Sequence, residues 1–196
     1  RLQTPLFRAS YAYVWEPVAD KKGILKYRIL MMFPKTTDLT PLAEAAMNAA
    51  INKWGKERAQ DMFANRAETG FKWPLRDGDV KAKAKPDKYG VLAGMNFCNA
   101  SSKEAPGIVQ LEGNRVTRIM NPRDFYSGCW AVATVNFFPF EVDGGIGVGV
   151  GLNNLCKMKD DERLAGIPDA EDEFAEFAAQ QAPDAGVGGT SASFLD

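Results

Sequence analysis

Few residues in this 196-residue sequence could carry catalytic chemistry. It contains no histidine, which excludes Ser-His-Asp and Cys-His catalysis, histidine-ligated zinc and imidazole acid–base chemistry. Cys98, Cys129 and Cys156 lie far apart in apolar stretches, so we expect buried, reduced thiols rather than a metal site or a disulfide set. The residues therefore predict neither histidine-based catalysis nor a metal site built from histidine or cysteine.

Acidic residues leave one catalytic alternative open. Asp77 and Asp79 flank a glycine, and Asp160, Asp161 and Glu162 form an acidic run. Because Mg²⁺ prefers oxygen ligands, such carboxylates could serve an Mg²⁺-dependent nuclease. Both patterns are also ordinary for a turn and for a solvated surface segment, and this is the interpretation that we favour.

A glycine-rich run from Gly144 to Gly151 (GGIGVGVG) suggests a phosphate-binding loop, but its spacing is wrong. No start within the run gives GxGxxG, and no Gly-Lys-Ser/Thr sequence follows. In a strand, alternating glycines leave one face bare, so a backbone, a helix or a flat nucleobase can approach closely. We expect this face to pack against the predicted helix, with a ligand surface as the alternative.

Basic and aromatic side chains are mixed along residues 71–89 and 123–138. Single-stranded nucleic acid is held by such mixtures, because cations contact phosphates while rings stack on bases. Rings can equally belong to the core, but strand alternation places Trp130 and Phe138 opposite a small apolar face. The candidate DNA-binding residues are Tyr11, Tyr13, Lys26, Arg28, Trp73, Arg76, Lys81, Lys83, Lys85, Lys88, Tyr89, Arg123, Tyr126, Trp130 and Phe138.

The formal net charge of −1 conceals an uneven distribution. Residues 1–158 carry a net charge of +7 and residues 159–196 a net charge of −8. A basic body with an acidic end is typical of a nucleic-acid-binding domain with an interaction tail. An acidic end that only aids solubility is the alternative. The candidate partner-binding residues of the tail are Phe174, Phe177, Phe194, Leu195 and Asp196.

The elements that must position these residues are mostly strands. Alternation over 9–15 and 24–33 predicts a hairpin in which Tyr11, Tyr13 and Trp15 share a face. A helical pattern begins at Thr40-Pro41 and extends to residue 66, with Gly55 expected to kink or divide it. Residues 71–90 resemble a loop. Further strands are predicted at 91–100, 107–111, 116–120, 126–142 and 146–157.

Many short strands, glycine-rich turns and one main helix predict a small, mainly β barrel. We assign residues 1–158 to this domain and residues 159–196 to a largely flexible acidic tail, in which 169–181 could form a short helix. No apolar run reaches the length of roughly 18 residues that spans a bilayer, so no membrane partner is expected.

Several sequence blocks resemble a family of phage single-stranded-DNA-binding proteins. The resemblance starts from FYSGCW at 125–130, Asn136-Phe137 and GVGVGLNNLCKMKDDERLAG at 147–166, and its specific blocks are FYSGCW and GLNN at 151–154. Weaker blocks lie at 10–17, 26–35 and 99–103, and the resemblance covers about residues 8–174. Cys156 departs from the pattern, because many relatives are expected to have glutamine there.

The resemblance implies an OB-fold Greek-key β-barrel without catalysis or cofactor. It implies that the protein coats and protects exposed single strands, without sequence specificity, during phage DNA replication or recombination in the host bacterial cytoplasm. The expected partners are single-stranded DNA, RNA as an alternative, further copies of the protein on DNA, and a polymerase, helicase or recombinase contacted by the tail. A phage interaction or structural protein that binds no nucleic acid is the remaining alternative.

Overall fold

The structure, a computed structural model, describes residues 1–20, 22–142 and 145–164. The strands are β1 (Leu2–Gln3), β2 (Phe7–Ala19), β3 (Leu25–Pro34), β4 (Arg76–Asp77), β5 (Met95–Ser102), β6 (Gly107–Glu112), β7 (Arg115–Arg118), β8 (Trp130–Val142) and β9 (Gly145–Lys159). The helices are α1 (Thr40–Trp54), α2 (Lys56–Ala64), α3 (Arg66–Thr69), α4 (Gly78–Ala84) and α5 (Pro86–Tyr89). None of the helices in these ranges is long and apolar enough to cross a membrane.

Five strands close into a barrel in the order β2-β3-β5-β9-β8. Neighbouring strands are antiparallel except β5 and β9, which run parallel where Ser101 lies opposite Gly151. The circle closes because β8 pairs with both β2 and β9. This is the Greek-key arrangement of an OB-fold, and it confirms the predicted mainly β barrel.

Alternate residues of the barrel strands fill its interior. Ile29, Met31 and Phe33 of β3 are buried there, as the predicted alternation requires. Ala131, Ala133 and Val135 supply small side chains from β8. The opposite faces of these strands therefore point away from the barrel interior, although at Leu30 and Met32 the outer face of β3 is also buried.

The main helix forms where it is predicted, in two parts. Pro41 occupies the first turn of α1, and Leu42 enters the barrel core. Ala46 and Ala50 are fully buried, because small side chains let the helix approach the sheet closely. Gly55, with φ of 82°, ends α1 and begins α2, so the helix is divided at the predicted residue.

The loop predicted over 71–90 is wrong, because α4 and α5 lie within it. Asp77 is an N-cap: its carboxylate accepts a hydrogen bond of 2.8 Å from the backbone N–H of Asp79. The same Asp-Gly-Asp sequence also fits a turn, which explains the error. The segment covers the outer face of β3 and β5, where Leu30, Met32 and Phe97 are buried.

Candidate nucleic-acid interface

A groove of about 790 Å³ lies between the 71–84 segment and strand β9. Its lining combines positive charge with aromatic surface, the two components that single-stranded nucleic acid requires. The basic side chains lining the groove are Arg66, Lys72, Arg76 and Lys81. The aromatic side chains are Phe71, Trp73, Phe97 and Phe140.

Two of these cations lie directly over rings on the groove wall. The Lys81 ammonium is 4.2 Å from the ring centroid of Tyr89 and 5.1 Å from that of Phe97. The Arg76 guanidinium lies 4.6 Å from the Phe97 centroid. Burial lowers the pKa of both Arg76 and Lys81 from their ordinary values. The aromatic rings act in the opposite direction, because their faces attract the cationic forms of both side chains. These contacts also hold the two positive charges at the groove wall.

The glycine face of β9 adjoins the groove, and the chain itself covers this face. The Lys72 backbone runs beside it: its N–H donates to Ile146 over 2.9 Å, and its carbonyl accepts from Val148 over 3.0 Å. A Cβ atom on Gly147 would collide with the Lys72 carbonyl oxygen. The expected helix packing at this face is therefore wrong at Gly147, since a backbone segment occupies it instead. Gly149 lines the groove, and the ring of Phe138 lies where a Cβ atom on Gly149 would stand.

A second cavity, of about 320 Å³, lies on the outward face of β3 and β5. Its lining includes Tyr11, Lys26, Arg28, Asn99 and Ser101. Asn99 lines both this cavity and the large groove. The two spaces are therefore adjacent along β5, and one extended strand of nucleic acid could pass from one to the other.

Ion pairs and hydrogen bonds hold the side chains of the second cavity. Lys26 pairs with Asp20 over 2.9 Å, and this hydrogen bond is the main reason that the pKa of Asp20 falls to about 2. Arg28 Nη2 donates to the carbonyls of Val18 and Ala19 over 3.1 and 2.7 Å. These contacts secure the end of the β2–β3 hairpin.

Residues 160–164, here called the root segment, fold over the loop that precedes β8. The Tyr126 hydroxyl donates to Asp160 Oδ1 over 2.8 Å, and Trp130 Nε1 donates to Asp161 Oδ2 over 2.6 Å. Arg8 Nη2 lies 3.7 Å from Asp161 Oδ1. The polar edges of Tyr126 and Trp130 are thus engaged by the chain's own carboxylates.

Cations also surround these two rings. Arg163 lies 4.0 Å from the Tyr126 centroid, and Lys159 lies 4.9 Å from the Trp130 centroid. Burial, followed by the hydrogen bond to Asp160, raises the pKa of Tyr126 to about 12. The phenol therefore remains a neutral donor throughout the physiological range.

The structure distributes the predicted site residues over several surfaces. Trp73, Arg76 and Lys81 line the groove, with Tyr89 beneath Lys81. Tyr11, Lys26 and Arg28 line the second cavity, and Tyr126 and Trp130 meet the root segment. Six further predicted residues are exposed but line neither cavity: Tyr13, Lys83, Lys85, Lys88, Arg123 and Phe138. Phe174, Phe177, Phe194, Leu195 and Asp196 lie outside the described residues.

Six basic, amide or aromatic lining residues were absent from the list of candidate DNA-binding residues: Arg66, Phe71, Lys72, Phe97, Asn99 and Phe140. The sequence could have indicated Asn99, since a polar residue between Cys98 and Ala100 in a strand must face outward. The basic–aromatic pattern around Trp73 also contained Phe71 and Lys72. Arg66 carried no such signal, because its position depends on how α2 and α3 pack.

The carboxylates of the nuclease alternative have structural partners. Lys35 Nζ lies 2.6 Å from Asp77 Oδ1 and 3.2 Å from Asp79 Oδ2. Asp79 also accepts a hydrogen bond of 2.7 Å from the backbone N–H of Gly94. Within the ranges that the structure describes, no group of three or more Cys, Asp or Glu side chains is placed to hold a metal ion.

Comparison with known proteins identifies relatives of this chain. It is 29% identical over 164 residues to putative protein p50 of Acyrthosiphon pisum secondary endosymbiont phage 1, covering 81% of this chain and 83% of p50. The single-stranded-DNA-binding protein of bacteriophage Enc34, solved in complex with single-stranded DNA, superposes with a TM-score of 0.58 at 21% identity over 83% of this chain and 88% of that one.

A second fold relative is gp2.5, a single-stranded-DNA-binding protein of bacteriophage T7. It superposes with a TM-score of 0.54 at 14% identity, over 96% of this chain and 98% of gp2.5. At these identities the two likenesses establish the fold. The family model described as "Enterobacter phage Enc34, ssDNA-binding protein" matches residues 2–185. The chain therefore belongs to this family of phage single-stranded-DNA-binding proteins.

Proposed function

We propose that this protein binds single-stranded DNA in the groove between the 71–84 segment and β9. It would act without catalysis, coating and protecting exposed strands during phage DNA replication or recombination in the host cytoplasm. Family membership and the OB-fold topology support this proposal. The observation that carries it is the groove itself, in which four cations and four rings line one continuous space among the described residues.

This lining predicts how binding depends on salt. Each phosphate neutralised on a single strand contributes about −0.7 to the slope of log K against log salt concentration. If Arg66, Lys72, Arg76 and Lys81 each neutralise one phosphate, the groove alone gives a slope of about −2.8. Ring stacking adds affinity, about 1–3 kcal/mol per base, and it is tolerant of sequence.

A mobility-shift titration with oligo-dT, a matched duplex and RNA, at two salt concentrations and with Mg²⁺ present, tests the proposal. We expect the single strand to be preferred, its affinity to fall at the higher salt concentration, and the oligonucleotide to remain intact. No shift at low salt would refute single-strand binding and favour a protein that binds no nucleic acid. Cleavage would favour the nuclease, and a preference for RNA would replace the proposed ligand.

We further propose that the acidic residues 159–196 compete with DNA for the basic body and, once displaced, recruit a polymerase, helicase or recombinase. The charge contrast of −8 against +7 supports the competition, and the apolar Phe194-Leu195 end supports recruitment. Deleting residues 167–196 should tighten DNA binding at low salt, with a smaller gain at high salt because salt screens the attraction. Unchanged affinity at several salt concentrations would contradict competition.

A further inference from the structure

The hairpin of β6 and β7 has one polar face and one apolar face, and the apolar face is exposed. On the polar face, Glu112 accepts hydrogen bonds from Gln110 Nε2 over 2.8 Å and from Thr117 Oγ1 over 3.1 Å. The other face carries Leu111 and Val116, which lie opposite each other and are 49% and 67% exposed. A contiguous apolar surface in contact with solvent marks an interaction site.

This apolar face continues from the hairpin onto the barrel. Val109 lies opposite Cys156 of β9, which in turn lies opposite Val132 of β8. Met158 follows two residues after Cys156 on the same face, and it is 44% exposed. The six side chains, here called the hairpin face, are Val109, Leu111, Val116, Val132, Cys156 and Met158. None of the six has an aromatic ring, so a nucleobase would find nothing there on which to stack.

Strand β7 also has a free edge. Among the described residues it pairs with β6 alone. The Ile119 N–H donates to the Ile108 carbonyl over 3.0 Å, and in an antiparallel pair only alternate residues share such bonds. The backbone groups of Val116 and Arg118, three and one residues earlier, therefore point to the open side. Two residues spaced in this way can pair with an added strand.

The charge on β7 indicates what kind of strand would bind. Arg115 and Arg118 flank Val116, both are exposed, and neither pairs with a carboxylate in the part of the chain that the structure describes. Glu112 lies opposite Arg115 but is engaged within the polar face of the hairpin. A second copy paired through antiparallel β7 strands would bring two arginines from each copy together, which is unfavourable. The edge therefore favours an acidic partner strand over a copy of itself.

We infer that the free edge of β7 binds an extended acidic segment of another protein as an additional antiparallel strand of the sheet. The segment carries an acidic residue opposite Arg118 and, two residues later, an aliphatic residue opposite Val116. The next residue, opposite Arg115, is again acidic. The aliphatic side chain extends the hairpin face, and the two carboxylates neutralise the arginines. No residue of this surface lines either cavity, so the inference goes beyond the proposed function.

The probe is a short synthetic peptide with Glu-Thr-Val-Glu at its centre, titrated into the full chain and followed by the NMR signals of the backbone amides. We expect the amides of Val116 and Arg118 to shift most, because their N–H groups acquire acceptors. A peptide with Lys-Thr-Val-Lys at its centre should bind about tenfold more weakly. The double variant Arg115→Glu/Arg118→Glu should reverse this order, because the charges on the two strands are then exchanged.

Val116→Pro tests the edge itself. It removes the N–H on the open side, and proline is tolerated at such edge positions, so the β6–β7 pairing should persist while peptide affinity falls about tenfold. Val116→Thr is the matched control, because it keeps both the N–H and the branched shape and should lose less affinity. Thermal unfolding checks each variant, and the charge reversal decides the question should Val116→Pro fail to fold.

Three results would overturn the inference. The first is no peptide binding by the wild-type protein, or binding that charge reversal leaves unchanged. The second is a concentration-dependent dimer in sedimentation that Val116→Pro abolishes, which would assign the edge to a second copy. The third is weaker oligo-dT binding by folded Arg115→Glu/Arg118→Glu, which would place DNA on the hairpin. We expect this double variant to bind oligo-dT as the wild type does. No oligo-dT binding by the wild type would refute the proposed function instead and leave this inference intact.

Discussion

Trp130 donates its indole N–H to Asp161 Oδ2 over 2.6 Å, and this bond fastens the root segment to the first residue of β8. Arg8 reinforces it, since its guanidinium donates to the Glu162 carbonyl over 2.9 Å. The indole edge is therefore occupied by the protein's own carboxylate. A nucleobase at Trp130 would have to use the ring face, to which Lys159 also lies close.

This contact predicts an acid-sensitive stability difference. The hydrogen bond from Trp130, followed by the backbone N–H of Glu162, lowers the pKa of Asp161 below its ordinary value of 3.8. The folded carboxyl therefore binds a proton less readily than the unfolded one, so its stabilising effect is present above about pH 4 and is lost as the pH falls through the folded pKa. We expect Asp161→Asn to unfold at lower urea concentration than wild type at neutral pH.

Below the folded pKa of Asp161 the two proteins should converge, because the wild-type carboxyl is then also neutral. Urea midpoints measured at neutral pH and in acid check this expectation. Trp130→Phe serves as a companion variant, since it keeps a ring but removes the donor and should also reduce the difference between neutral and acidic pH. A gap between wild type and Asp161→Asn that is constant across pH would show that the contact has no electrostatic part.

The contacts on the glycine face of β9 predict that alanine at Gly147 and at Gly149 will destabilise the protein to different extents. A Cβ at Gly147 meets the fixed backbone of Lys72, whereas a Cβ at Gly149 meets the tip of the Phe138 ring at 2.6 Å, and that ring can move. Gly147→Ala should therefore cost about 1–3 kcal/mol of unfolding free energy, as overpacking typically does, and Gly149→Ala clearly less. Urea unfolding of both variants measures the difference. Equal costs would mean that the 71–73 segment can move away from β9.

The two lysines of α4 should differ in their effect on DNA binding. Lys81 lines the groove, whereas Lys83 is exposed outside it. Lys81→Ala should reduce the magnitude of the salt slope for single-stranded DNA by about 0.7, the contribution of one phosphate contact. Lys83→Ala should leave the slope close to that of wild type. The reverse order in salt titrations would place the DNA path on the outer side of α4.

Asp77 should matter for stability rather than for catalysis. It caps α4 and pairs with Lys35, so Asp77→Ala should cost about 0.5–2 kcal/mol, the range measured for lost N-caps. Asp77→Asn, which retains a capping oxygen, should lose less. Chemical denaturation gives the stabilities, and incubation of labelled single strands with Mg²⁺ gives the cleavage. If the wild-type protein cleaves the strands and both variants lose this activity, the result would support the nuclease alternative.

The sequence predicts the barrel and its divided helix because local patterns determine them. Alternation in β3 identifies Ile29, Met31 and Phe33 as core, and Gly55 marks the division of the helix. In β2 the same reasoning fails past Ser10. The bulge lets both Ala9 and Val14 face the core, which strict alternation forbids. The prediction that Trp15 shares a face with Tyr13 is therefore wrong, because Trp15 packs against the core and Tyr13 is exposed. A bulge is one extra residue in one strand, and its position depends on a partner strand that local sequence does not reveal.

The sequence predicts the kinds of side chain that line the groove, but not all of the residues that supply them. Trp73, Arg76 and Lys81 lie in one mixed stretch, so their proximity follows from the sequence. Phe140 and Arg66 reach the same space through the β8–β9 hairpin and the helical segment, which lie far away along the chain. Only the closed barrel brings these segments together.

Strand β9 has a consequence for how the protein is made. It pairs with β8 along almost its whole length and runs parallel to both β5 and β6, so it joins the two ends of the sheet. It is also the last strand of the described chain. A nascent chain still lacking residues 145–159 cannot close the barrel, and these pairings over long sequence separations slow folding. The wall of the groove that β9 supplies, at Val148, Gly149 and Val150, therefore forms only after residues 145–159 have been synthesised.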